Sequence, residues 1–84
     1  MKMTVKDLLN IADSKVDTYK RTYVRIGERN CEEYKADNGI TLKLHVNVYS
    51  KTWSKWVANF YDADGFYIGH RGIVRRKLNA GIIK

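Results

Sequence analysis

Gly39-Ile40-Thr41-Leu42-Lys43-Leu44-His45-Val46-Asn47-Val48-Tyr49 is the stretch that decides the fold. Ile40, Leu42, Leu44, Val46 and Val48 take every second position, and Thr41, Lys43, His45, Asn47 and Tyr49 fill the gaps. Alternation of this length describes a strand with one dry and one wet face. Its branched apolar side chains suit a pleated surface. Such a strand must pair sideways and be covered on its dry face.

The pairing partners follow from two turn signals. A two-residue Asn38-Gly39 loop would pair Asp37 with Ile40 and set Glu33 and Lys35 beside Leu42 and Leu44. A three-residue loop, Asp37-Asn38-Gly39, pairs Ala36 with Ile40 and Tyr34 with Leu42, with Gly39 in the left-handed position of a bulge. A one-residue slip flips every side chain, so burial selects the three-residue loop and a strand over 31–36. Asp62-Ala63-Asp64-Gly65 has the same form between the strands Lys55–Tyr61 and Phe66–His70. It places Phe60 opposite Ile68 and Tyr61 opposite Tyr67, and leaves His70 facing inward opposite Ala58. Both hairpins then agree on the dry face, as a meander requires. Ser50–Ser54, carrying Trp53, reads as a polar connection.

Upstream, Thr4-Val5-Lys6-Asp7 has the form of a capping box. Val5, Leu8, Leu9, Ala12 and Val16 recur at helical spacing behind it. Three lysines balance three aspartates within residues 1–17, so this helix is assigned to packing. Thr18–Ile26 changes to period two and reads as a first strand whose wet face is Tyr19, Arg21, Tyr23 and Arg25. Downstream, Ile73, Val74 and Leu78 fit a short helix stopped by Asn79-Ala80-Gly81, or an edge strand, with helix preferred. From Gly69 onward five arginines or lysines occur and no acidic residue. The expected fold is α+β: an N-terminal helix packed on an antiparallel meander of about five strands, with a short basic C-terminal helix or edge strand.

Composition narrows the function classes. The chain of 84 residues has a formal charge of +7, which favours polyanionic partners. One cysteine, Cys31, excludes an internal disulfide and fits a reducing cytoplasm. No apolar run approaches the roughly 20 residues of a membrane span. Met1–Met3 leads straight into the helix signal, so no secretory leader is expected. No paired histidine or cysteine spacing marks a metal site, and no nucleophile, base and orienter stand together. The expectation is a non-enzymatic protein without cofactor, in one domain.

The candidate site is the wet face of the sheet. It would display Tyr19, Arg21, Tyr23, Arg25, Lys35, Lys43, His45, Asn47, Tyr49, Lys55, Asn59, Tyr61 and Tyr67. Cations neutralise phosphates, and flat rings stack on unpaired bases. An ordinary solvated face uses the same residues for cross-strand pairs and edge protection, and a protein-binding face uses Tyr, Trp and Arg as anchors. The basic tail, Arg71, Arg75, Arg76 and Lys77, could lie against a phosphate backbone or simply complement a helix dipole. Trp53 could bind or fold back onto the core.

Residues 50–72, S-K-T-W-S-K-W-V-A-N-F-Y-D-A-D-G-F-Y-I-G-H-R-G, resemble a hairpin of the three-stranded DNA-binding domains of plant-type transcription factors and phage integrases. The likeness covers about a quarter of the chain, and the long helix that follows the sheet in that family is here a short tail. It implies basic positions near Lys55 and Arg71 only. The sequence therefore predicts a module that binds nucleic acid, DNA or RNA, or a nucleic-acid-bearing complex. The alternative is a phage-encoded inhibitor of host defence or nuclease machinery, anti-CRISPR-like or anti-restriction-like, acting by protein contact. An edge strand could also pair two copies.

Overall fold

The computed structural model describes residues 2–16, 31–50 and 53–81. Its elements are α1 (Val5–Lys15), β1 (Cys31–Lys35), β2 (Thr41–Ser50), β3 (Trp53–Tyr61), β4 (Tyr67–His70) and α2 (Arg71–Asn79). The strands form one antiparallel sheet in the order β1-β2-β3-β4. This is the α+β meander expected, with four strands among the described residues instead of about five. The remaining expected strand, Thr18–Ile26, lies outside the described residues.

α1 begins where the capping box places it. Thr4 Oγ1 accepts from the Asp7 amide at 3.2 Å, and Asp7 Oδ2 accepts from the Thr4 amide at 2.9 Å. Two otherwise unpaired amides are satisfied by this exchange. The stripe Val5, Leu8, Leu9 and Ala12 is buried.

Both hairpins use three-residue loops. The Ala36 amide donates to Ile40 O at 2.8 Å, and Gly39 sits at φ +92°. The Asp62 amide donates to Phe66 O at 2.9 Å, closing the second loop in the same way. Tyr34 stands opposite Leu42 and Tyr61 opposite Tyr67, as burial demanded. The two turns touch, since a Cβ on Gly39 would lie 2.7 Å from the Ala63 Cβ.

Even-numbered residues of β1, β2 and β3 make the dry face. Leu42, Leu44, Ala58 and Phe60 are buried with Val5, Leu8, Leu9 and Ala12 of α1 and Val74 of α2. Both helices therefore cover the same side. α2 resolves the tail as a helix rather than an edge strand, and the Gly81 amide closes it on Leu78 O at 2.9 Å.

Three expectations need correction. β3 starts at Trp53, not Lys55, because Ser54 pairs with Val48 and is itself buried, so the pairing with β2 runs past the polar composition. Phe60 faces Gly69, not Ile68. A bulge inserts one residue into β4 between Tyr67 and Gly69, which also turns His70 outward opposite Asn59 instead of inward opposite Ala58. The carbonyl of the bulged Ile68 accepts from Lys77 Nζ at 2.6 Å.

Gly69 allows α2 to pack. It is buried, and a Cβ there would lie 2.8 Å from Ile73 Cγ2 and 3.0 Å from Ile73 Cβ. Neither atom is a flexible side-chain end. Gly69→Ala is expected to destabilise the fold by about 1–3 kcal/mol, the usual cost of overpacking. A urea midpoint equal to the parent's would show that α2 does not seat on β4 this way.

Candidate functional site

With both helices on the even face, the odd face is left to solvent among the described residues. The register arranges it in rows. One row runs Glu33, Lys43, Asn59 and His70, and the next runs Lys35, Thr41, Tyr61 and Tyr67. Cys31, His45 and Val57 form a third, and Asn47 with Lys55 a fourth. Directly opposed side chains lie about 4.5–5.5 Å apart at Cβ, so each row is a set of touching neighbours.

The rings and cations are in contact. Lys43 Nζ stands 4.8 Å from the centre of the Tyr61 ring. The Tyr61 and Tyr67 rings meet edge-on at 5.8 Å with 68° between their planes. Tyr67 is 56% exposed and Tyr49 54%. Lys35, Lys43 and Lys55 are exposed, whereas His45 and Tyr61 are half-buried. Glu33 is the one carboxylate in these rows, so the face is cationic. Carboxylates gather instead at the hairpin turns. Asp37 Oδ1 accepts from the Met3 amide at 3.2 Å, and Asp62 Oδ1 accepts from the amides of Asp64 and Phe66 at 3.0 and 2.9 Å.

The basic tail is largely occupied within the fold. Asp13 of α1 accepts from Arg75, and Arg71 Nε lies 3.5 Å from its other oxygen. Arg71 Nη1 also donates to Val16 O at 2.8 Å. With Lys77 held on Ile68 O, Arg76 is the one exposed cation of this cluster without an internal contact among the described residues. Arg71 and Arg75 do share a helix face, but they use it to join α2 to α1.

Sequence reasoning missed this joint because Asp13 and Arg75 are 62 residues apart. It also missed Lys15, whose Nζ lies 3.3 Å from Glu32 Oε2 and 5.0 Å from the centre of Trp56. Glu32 points to the dry side, where its buried oxygen has Lys15 as counter-charge. Of the predicted binding residues, Tyr19, Arg21, Tyr23 and Arg25 lie outside the described residues, as does the Trp53 side chain.

An open groove of about 350 Å³ runs between β3 and the start of α2, lined among others by Lys55, Trp56, Val57, His70 and Arg71. Among the described residues, no group of three or more His, Cys, Asp or Glu side chains could hold a metal ion. No helix of the described residues is long and apolar enough to cross a membrane. Comparison with protein families, with curated proteins and with solved structures found no match for this chain. The likeness of residues 50–72 to integrase-type DNA-binding hairpins thus stays a likeness of pattern. Arg71, one of its two basic positions, here opens α2.

Proposed function

We propose that this protein is a non-enzymatic module that binds nucleic acid, with the odd face of its sheet as the contact surface. The observation that carries this reading is the set of rows opposite the helices. Three exposed lysines and the tyrosines Tyr61 and Tyr67 share that face with a single carboxylate among the described residues. Ammonium groups at this spacing neutralise successive phosphates and release their counterions. The tail cations sit on α2, on the opposite side of the sheet, and contribute to the general positive field rather than to direct contacts.

Titration of labelled DNA and RNA oligonucleotides across a salt series tests the reading. Three lysine–phosphate contacts predict that log K falls with log salt at a slope of about −2 to −3, taking about 0.7–0.9 per phosphate. Absence of binding to every oligonucleotide at low salt would overturn it. Exposed Phe66 and Tyr67 would also suit a protein partner, as in the inhibitor alternative. Capture of a partner that survives nuclease treatment, by a protein that ignores oligonucleotides, is the outcome that would favour that reading.

A further inference from the structure

The proposed face could in principle receive a duplex or an unpaired strand. We infer that it takes unpaired nucleotides, with Tyr67 as the stacking platform and Lys43 as the adjacent phosphate partner. This narrows the nucleic-acid reading above and rests on it.

Tyr67 and Tyr61 have different roles. Lys43 Nζ occupies a face of the Tyr61 ring, so Tyr61 is the buttress. Tyr67 is braced by Tyr61 yet more than half exposed. A ring held in place but open to water offers a base a stacking surface with little ordering cost. Lys43 lies one row along and two strands across from Tyr67, about 12 Å at the backbone, and its Nζ reaches over the intervening Tyr61 ring, 4.8 Å from that ring's centre. The chain of contacts from Lys43 Nζ to Tyr61 and from Tyr61 to Tyr67 sets the ammonium beside the ring pair, where it can meet the phosphate neighbouring a base stacked on Tyr67. Lys55 lies four residues further along the β2 register, opposite Asn47, or about 13 Å from the Lys43 row. The backbone could therefore continue over roughly two extended nucleotides to a second cation.

A duplex fits this face poorly. Its bases are stacked internally, and reading them needs an element slim enough to enter a groove about 12 Å wide. Four strands spaced about 4.8 Å apart present a platform too broad for that. Both helices lie on the opposite side. The β3–β4 hairpin could protrude, but its turn carries Asp62 and Asp64, which phosphates flanking a groove would repel.

The test compares one labelled single strand with the duplex of the same length, on the whole protein and on Tyr67→Ala, Tyr67→Phe and Lys43→Gln. The single strand should bind more tightly than the duplex. Tyr67→Ala should weaken it about 5- to 150-fold, the stacking range of one base, with the salt slope unchanged. Tyr67→Phe, which keeps the ring, should bind as the parent does. Lys43→Gln should lower the salt slope by about 0.7. Thermal midpoints of the variants confirm that the exposed positions leave the fold intact. Equal or tighter duplex binding, or full affinity in Tyr67→Ala, would overturn this inference while leaving salt-dependent binding standing. Loss of all oligonucleotide binding in the parent protein is the separate result that removes the functional reading itself.

Discussion

Phe60→Ala is expected to remove about 3–5 kcal/mol of folding stability, a large part of the total. Phe60 is fully buried in β3, between Leu42 of β2 and Gly69 of β4 in the register and beneath the helices. Removing a buried phenyl ring costs about 3–5 kcal/mol, through lost transfer energy and the cavity left behind. At roughly 0.05–0.15 kcal/mol per residue, a chain of this length has about 4–13 kcal/mol in total. The cavity could not collapse easily, because Gly69 offers no side chain to fill it from one side. Phe60→Leu, which keeps most of the volume, should fall between the parent and Ala. Urea unfolding followed by near-ultraviolet circular dichroism reads the series. A Phe60→Ala protein with a parental midpoint would mean that the core is centred elsewhere.

Reversing the three face lysines together, as Lys35→Glu, Lys43→Glu and Lys55→Glu, should cost about 10²-fold in oligonucleotide affinity at 0.1 M salt. Each contact contributes about 0.7 of a decade in log K per decade of salt. Three contacts, one decade below 1 M, give about two decades before any new repulsion is counted. The reversal also lowers the net charge by six, from +7 to +1, so loss of the overall field must be separated from loss of the face. Lys2, Lys6 and Arg76 are exposed and lie away from the odd face, on the α1 and α2 side. Reversing those three gives the same net charge. Binding retained in that control and lost in the face variant supports the assignment. Equal loss in both would show that only the general field matters, and no loss in either would remove the face as a site.

The odd face of β2 was legible in the sequence because a strand's period is two and one side of it must be dry. Lys43, His45 and Asn47 follow from parity once Leu42 and Leu44 are assigned to the core. The three-residue loops were legible for the same reason, since a two-residue loop would bury Glu33 and Lys35. The part of the site that was not legible is the basic tail. Four cations in one stretch look like a phosphate reader, yet Arg71, Arg75 and Lys77 turn inward to Asp13, Val16 O and Ile68 O. Charge density along a chain carries no information about partners brought close by folding.

His70 shows the same limit at the scale of one residue. Alternation counted from Gly65 points it inward, and a bulge at Ile68 reverses it. Gly69 is the local hint, since a glycine inside a strand often marks a bulge, but composition alone does not say which residue is the extra one. The Ile68 carbonyl finds Lys77 only because α2 folds back over the strand.

By itself the sequence determined the capped first helix, the two bulged turns, the meander and the parity of its central strand. All of these arise from neighbours within a few residues, through capping hydrogen bonds, left-handed glycine and the two-residue pleat. Tertiary structure alone decided that both helices share one face, that Asp13 joins them, and which cations of the described residues remain exposed. Those outcomes depend on contacts between residues tens of positions apart, whose energies exist only once the backbone has brought them together.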